Sequence, residues 1–181
     1  MNIPNTFTMM RIALIPFLIV FHYAPFTGHY YVAAFIFVLA SVTDWLDGYL
    51  ARKLSQHSRI GAFLDPVADK LLVAVALIMI VEKIPVVIVT VPAMIIVGRE
   101  IVISALREWM AELGKSASMA VTRVAKVKTA LQMVAATLLL AYSPSSSSPV
   151  IAWVGLVLLM VAAVMTLWSM FIYLNIARRQ L

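Results

Sequence analysis

The sequence predicts an all-α polytopic membrane protein with six transmembrane helices. Three observations lead to this prediction: an excess of apolar residues, apolar stretches of membrane-spanning length, and basic residues on alternate connections. Of the 181 residues, 64% are hydrophobic and only 12% are charged, whereas soluble domains carry about 25% charged residues. One small core cannot bury so many apolar side chains, so lipid must cover a large part of them.

Apolar stretches locate the six helices, and each approaches the roughly 20 residues that span the hydrocarbon. The breaks between them hold proline, glycine or serine, which favour turns; examples are Pro25, Pro85 and the run 143–149. We expect one domain over residues 1–181, with a short interfacial segment at residues 1–10. The predicted helices cover 10–25, 30–52, 61–82, 85–110, 124–142 and 149–177.

Basic residues orient the chain, because cytoplasmic connections carry an excess of Lys and Arg. Most of the fourteen Lys and Arg residues lie in alternate connections or near the two ends of the chain, and Lys83 lies on the opposite side. We therefore expect both termini in the cytoplasm. Arg11 is the one early base, and no small-residue cleavage site follows it. The first apolar stretch is therefore expected to be a retained helix and not a cleaved signal peptide.

The composition also limits the classes of partner. The chain has no cysteine, which excludes disulfides, thiolate metal ligands and a cysteine nucleophile. Its net charge of +6 comes from basic residues that border apolar runs. We therefore expect membrane lipids and anionic substrates as partners and no nucleic acid. A homodimer is compatible with the sequence.

Four aspartates lie in one polar window, residues 44–70, where the second and third predicted helices meet at the cytoplasmic side. They are Asp44, Asp47, Asp65 and Asp69. Within each helix the two aspartates are three or four positions apart, so they share one helix face. Four unpaired carboxylates at membrane depth would cost on the order of 10 kcal/mol, so cations must neutralise them. Arg52 and Lys70 could pair with one or two of them, but hard divalent cations fit better, since Mg²⁺ and Mn²⁺ prefer carboxylate oxygen.

Two glycines and an arginine lie beside the acidic residues. Gly48 and Gly61 remove side chains, so a flat group could approach the backbone closely. The alternative is helix–helix packing, for which Gly48 and Ala51 are equally suited. Arg52 could hold a phosphate bidentately, or it could be an ordinary cytoplasmic flank.

The spacing of these residues resembles the signature of the CDP-alcohol phosphotransferase family. The match covers Asp44, Asp47, Gly48, Ala51, Arg52, Gly61, Asp65 and Asp69. Members have six membrane helices, so the resemblance extends over essentially the whole chain. It implies that the four aspartates bind two Mg²⁺ or Mn²⁺ ions and that Asp69 is the general base. It also implies that the nucleotide of CDP-diacylglycerol lies near Gly48, Ala51, Arg52 and Gly61.

Basic residues of the fourth and fifth helices are candidates for binding the acceptor. Arg99 lies inside an apolar span, and an acceptor with a phosphate dianion needs such a basic pocket. The alternative is that Arg99 pairs with Glu100 or Glu108. Because adjacent helical positions point about 100° apart, we expect Arg99 and Glu100 to pair poorly.

Two lysines of the fifth helix compete for the same role. Lys126 and Lys128 are two positions apart and cannot both face one ligand well, and we favour Lys126. The predicted ligands of the acceptor phosphate are therefore Arg99, Lys126 and Arg107.

Other segments resemble the branch of the family that uses glycerol 3-phosphate as acceptor, most closely in Gram-negative bacteria. They are Asn2, Asn5, Thr8 and Arg11; Gly98–Glu100; Ala105–Lys115; and Ala125–Thr129, where the branch usually has glycine at position 125. The resemblance implies transfer of the phosphatidyl group of CDP-diacylglycerol to glycerol 3-phosphate, at the cytoplasmic face of a bacterial inner membrane. Phosphatidylglycerol, inositol phosphate and serine remain alternative acceptors. Outside enzymes, the alternatives are a cation transporter and a lipid-anchoring scaffold, but the acidic residues cluster at one membrane face and do not line a path through it.

Overall fold

The computed structural model describes residues 3–54, 59–114, 123–144 and 148–180, and the described residues form α-helices and no strand. The all-α prediction is therefore confirmed. The helices are α1 (Ile3–His22), α2 (His29–Leu54), α3 (Arg59–Lys83), α4 (Val87–Glu112), α5 (Arg123–Ala141) and α6 (Pro149–Gln180).

The largest difference from the predicted boundaries is at the first helix. From Ile3 onward, the segment expected at the interface is the first part of α1 itself. This helix ends at His22 instead of residue 25, because Pro25 disfavours helical geometry in the residue before it. At the end of α4, Gly114 has a φ of 67° and its N–H donates to the Ala111 carbonyl at 3.0 Å. This left-handed conformation after a helix favours glycine.

Two groups of helices pack side by side. One contains α1, which packs against α2 and α3, and the other contains α6, which packs against α4 and α5. Contacts between α2 and α5 connect the groups. Small residues in the interior allow close approach of membrane helices; fully buried examples are Ala33, Ala40, Ala76 and Ala162. At Gly155 of α6, a Cβ atom would lie 2.9 Å from Leu139 Cγ of α5, so this pair of helices has no room for a larger residue there.

The outer surface is apolar on every helix. Large exposed apolar side chains include Phe17, Phe35, Ile78, Met94, Val134 and Trp168. Among the described residues, two helical segments are long and apolar enough to cross a membrane, Val87–Glu112 and Pro149–Asn175. Shorter apolar segments occupy Thr8–His22, His29–Thr43 and Val127–Ala141. An apolar exterior of this extent belongs in lipid, and the chain is a membrane protein.

Candidate functional site

A polar cavity of about 160 Å³ lies among α3, α4, α5 and α6. Its lining combines carboxylates, cations, an amide and hydroxyl groups, with a few apolar side chains between them. The polar lining residues are Asp69, Lys70, Arg99, Glu100, Arg107, Lys128, Thr129, Gln132 and Tyr173. So many ionisable groups in an otherwise apolar membrane protein indicate a functional site.

The helix order explains why these residues meet. They come from the first half of α3, the second half of α4, the first turns of α5 and the second half of α6. These are the parts that lie at the same end of the bundle when consecutive helices are antiparallel. The polar cavity is therefore a property of the topology as well as of the individual helices.

Asp65 and Asp69 lie one turn apart on α3, and both are half-buried. The Thr8 hydroxyl of α1 donates a hydrogen bond to Asp65 Oδ1, whereas Asp69 lines the polar cavity. Asp65 therefore faces α1, and Asp69 faces the polar cavity. Asp69 is the one that is positioned to meet a molecule bound in the cavity.

The side chains of several predicted site residues lie outside the described part of the structure. They are Asp44, Asp47, Gly48, Ala51 and Arg52 on α2, Gly61 on α3 and Lys126 on α5. Within the described part of the chain, no cluster of three or more His, Asp or Glu side chains is arranged for a metal ion. The two described aspartates are partly exposed, and carboxylate oxygen is the donor type that Mg²⁺ and Mn²⁺ prefer. They fit as one part of the predicted metal site.

Arg99 and Lys128 both bind Glu100. Arg99 Nη1 lies 2.8 Å and Lys128 Nζ lies 3.3 Å from Glu100 Oε1. The expectation that Arg99 and Glu100 pair poorly is therefore wrong. It considered only the directions of the Cβ atoms, but the long arms of both side chains extend around the helix. Burial adds to the tendency to pair, since the Arg99 side chain is only 8% exposed and a buried cation needs an anion or hydrogen-bond acceptor.

Two residues of α6 complete this end of the polar cavity. Arg99 Nη2 donates to Ser169 Oγ at 3.4 Å, and Arg107 Nη2 donates to the Tyr173 hydroxyl at 3.4 Å. The Tyr173 ring centroid lies 5.5 Å from Arg99 Cζ and 5.4 Å from Arg107 Cζ. Arg99 and Arg107, which the sequence assigned to one ligand, therefore do lie near each other.

The sequence reasoning missed part of this site. Lys128, which it ranked behind Lys126, is 3% exposed and lines the polar cavity. Gln132 and Tyr173 were not singled out. A signal existed for both, because Gln132 follows Lys128 by four positions and Tyr173 follows Ser169 by four, which places each pair on one helix face.

Comparison with known proteins places the chain in a family. The family model for CDP-alcohol phosphatidyltransferases matches residues 1–175. A protein of Escherichia coli is 52% identical over 180 residues, which is 99% of this chain and 97% of the relative. Relatives from Shigella flexneri and Pectobacterium atrosepticum are 52% and 51% identical over the same shares. All three are named CDP-diacylglycerol–glycerol-3-phosphate 3-phosphatidyltransferase.

The family match spans the aspartate signature, the first five helices and most of α6. It also covers every residue that lines the polar cavity. The chain is therefore a transferase of the CDP-alcohol phosphatidyltransferase family.

Proposed function

We propose that this enzyme transfers the phosphatidyl group of CDP-diacylglycerol to glycerol 3-phosphate, with phosphatidylglycerol phosphate and CMP as products. The relatives named for this reaction align with nearly the whole chain, and about half of the aligned residues are identical. The observation in the molecule that carries the proposal is the charge of the polar cavity beside Asp69.

Among the described residues, four cations line the polar cavity, Lys70, Arg99, Arg107 and Lys128, together with the carboxylates of Asp69 and Glu100. Four positive charges less two negative charges leave a surplus of two. A phosphate monoester carries about −1.5 to −2 at pH 7, so its charge complements this surplus. Serine has no net charge and phosphatidylglycerol has a single negative charge, so both match the cavity less well. Inositol phosphate has a similar charge, and the names of the relatives favour glycerol 3-phosphate over it.

The proposed reaction is an in-line displacement without a covalent enzyme intermediate. Arg99, Arg107 and Lys126 hold the phosphate of the acceptor, and Lys128 adds its charge from the floor of the cavity. Asp69 takes the proton of the primary hydroxyl as the hydroxyl oxygen forms its bond to the phosphorus of the phosphatidyl group. The bond from that phosphorus to the CMP oxygen breaks, and CMP leaves. A carboxylate at the edge of the cavity, as Asp69 is, supports this role.

The donor is proposed to lie across the signature residues of α2 and α3. Gly48, Ala51, Arg52 and Gly61 bind the nucleotide, and Asp44, Asp47, Asp65 and Asp69 bind two Mg²⁺ or Mn²⁺ ions. Such ions, when bound, neutralise the pyrophosphate and stabilise the leaving phosphate oxygen. The partial exposure of Asp65 and Asp69 supports the assignment of the second aspartate pair.

We further propose that all six helices span the inner membrane of a bacterium, with both termini and the polar cavity at the cytoplasmic side. The positive-inside distribution of Lys and Arg residues supports this orientation. The proposal is compatible with a homodimer.

Acceptor-dependent release of CMP tests the function directly. Purified protein in detergent micelles is given CDP-diacylglycerol and, in separate reactions, glycerol 3-phosphate, glycerol, inositol phosphate, serine or phosphatidylglycerol. We expect the highest kcat/KM with glycerol 3-phosphate and very little reaction with glycerol, its matched acceptor without phosphate. The lipid product is identified by mass. A preference for another acceptor, or equal use of glycerol, would refute the proposed acceptor.

A further inference from the structure

One face of α6 carries hydroxyl groups within residues 150–174, a stretch that is otherwise apolar. Thr166, Ser169 and Tyr173 are buried and recur at intervals of three and four residues, so they share one face. Trp168 and Phe171, by contrast, are 68% and 61% exposed on the outer surface. Hydroxyl groups are not needed to bury this face, since apolar side chains would pack there at lower cost. The contacts of these residues explain their presence.

The Ser169 hydroxyl links the backbone of α6 to Arg99. The Ser169 hydroxyl donates to the Thr166 carbonyl at 2.8 Å, so its oxygen is free to accept, and Arg99 Nη2 lies 3.4 Å from it. The guanidinium of Arg99 is thus held from two sides, by Ser169 of α6 and by the carboxylate of Glu100 at 2.8 Å.

Tyr173 contacts two guanidinium groups at once. Its ring centroid lies 5.5 Å from Arg99 Cζ and 5.4 Å from Arg107 Cζ, and its hydroxyl accepts a hydrogen bond from Arg107. Both distances are within the range of a cation–π interaction. Tyr173 is only 9% exposed, which fixes the position of the ring. Burial of both Tyr173 and Arg99 limits the screening of their contact by water.

A tyrosine at this position has an effect that a carboxylate would not have. Arg99 and Arg107 repel each other, and the negative face of an aromatic ring reduces the cost of keeping them together. Because the ring carries no net charge, it leaves the surplus positive charge of the cavity intact. A glutamate would attract both arginines, but it would also occupy them and repel an incoming phosphate.

We infer that Tyr173 is a positioning residue that keeps Arg99 and Arg107 directed at the acceptor phosphate and thereby sets the affinity for the acceptor. This inference rests on the proposed function, because it assigns the polar cavity to a phosphorylated acceptor. Ser169 assists by fixing Arg99 alone. Neither residue belongs to the aspartate signature, and both lie on a helix to which the sequence assigned no role in the site.

The test compares substitutions at position 173 with a control on the opposite face of the same helix. Tyr173→Leu and the more volume-conserving Tyr173→Met remove the ring, Tyr173→Phe keeps it, and Trp168→Leu removes a lipid-exposed aromatic residue. For each variant, kcat and the KM of both substrates are measured, together with the Ki of inorganic phosphate as a competitor of glycerol 3-phosphate. Thermal unfolding in detergent reports whether each variant is folded.

Loss of two cation–π contacts should raise the KM of glycerol 3-phosphate and the Ki of phosphate together, by roughly five- to thirty-fold in Tyr173→Leu and Tyr173→Met. The KM of CDP-diacylglycerol should stay within about two-fold, because a lost anion contact affects one substrate only. Tyr173→Phe should keep the acceptor KM within about three-fold of wild type, since the hydrogen bond that it loses is long, with 3.4 Å between Arg107 Nη2 and the Tyr173 hydroxyl oxygen. Trp168→Leu should match wild type.

Two results would overturn the inference. One is a folded variant without the ring in which the KM of the acceptor and the Ki of phosphate are unchanged. If Tyr173→Leu does not fold, Tyr173→Met provides this measurement. The other is an equal rise in the KM of both substrates, which would indicate a general packing role. If the wild-type enzyme uses a different phosphorylated acceptor, the proposed acceptor is wrong. The role of Tyr173 is then tested in the same way, by the ratio of the variant KM to the wild-type KM for that acceptor.

Discussion

Lys128 of α5 donates a hydrogen bond of 3.3 Å to the Glu100 carboxylate of α4. Lys128 is only 3% exposed, and the same carboxylate oxygen binds Arg99 at 2.8 Å. Glu100 therefore holds together two cations from different helices at the wall of the polar cavity. The pair of Glu100 and Lys128 thus connects α4 and α5 and also sets part of the charge of the cavity.

The pairing of Glu100 with Lys128 predicts a non-additive effect on stability. Glu100→Gln leaves the buried ammonium group without its anion and should destabilise the protein by about 1–3 kcal/mol. Adding Lys128→Met removes the buried charge and should recover part of this loss, with a coupling of about 0.5–3 kcal/mol. Thermal unfolding of the two single variants and the double variant in detergent measures the coupling. Additive losses would show that the two side chains do not interact.

The acceptor site predicts selective effects on KM. Arg99→Ala, Lys126→Ala and Lys128→Ala should each raise the KM of glycerol 3-phosphate by about ten-fold or more, on the scale of ~1.5–3 kcal/mol for a charged hydrogen bond. The sequence ranks Lys126 above Lys128, but the burial of Lys128 in the cavity leads us to expect an effect at least as large at Lys128. The KM of CDP-diacylglycerol serves as the internal control. Unchanged acceptor KM in Arg99→Ala and Lys128→Ala would mean that the acceptor binds elsewhere.

The aspartate signature predicts dependence on a divalent cation. Activity should disappear in excess chelator and return with Mg²⁺ or Mn²⁺, because the four carboxylates of the proposed site would repel a pyrophosphate unless cations neutralise them. Asp44→Asn, Asp47→Asn and Asp65→Asn should each raise the metal concentration that is required. A rise in the unfolding temperature on addition of Mn²⁺, measured without substrate, gives a readout that is independent of turnover. Full activity in chelator would refute the metal site.

Asp69 is expected to differ from the other aspartates in its effect on the chemical step. Asp69→Asn removes the proposed base and should lower kcat by about 10²–10⁴-fold. Binding of CDP-diacylglycerol, measured by its protection against thermal unfolding, should be retained. Near-normal turnover of Asp69→Asn would place the base on another residue.

The hydrogen bond from Thr8 to Asp65 predicts a role for α1 in metal binding. Partners of a ligating carboxylate fix its orientation, and their loss typically reduces metal affinity by about 10–100-fold. Thr8→Val, which keeps the shape of the side chain, should raise the Mn²⁺ concentration for half-maximal thermal stabilisation. Thr8→Ser keeps the hydroxyl and should behave like wild type. If Thr8→Val and Thr8→Ser require the same Mn²⁺ concentration, the contact between Thr8 and Asp65 has only a packing role.

The sequence alone predicted the features that depend on residues close to one another in the chain. The all-α class follows from apolar stretches, and the shared face of Asp65 and Asp69 follows from their spacing of four. Both are local, because an α-helix repeats every 3.6 residues wherever it lies. The position of Arg99 within an apolar span is also visible in the sequence, and it indicates that this cation needs a partner.

The partners of these residues were decided by the tertiary structure. Glu100 with Lys128, Arg107 with Tyr173, and Thr8 with Asp65 are separated by 28, 66 and 57 positions, and helical periodicity does not relate residues on different helices. The local rule also failed for Arg99 and Glu100, because long side chains extend beyond the directions of their Cβ atoms. The sequence by itself determined which faces carry charge, and helix packing decided which charges meet, because only the packed bundle brings residues from α3 to α6 around one cavity.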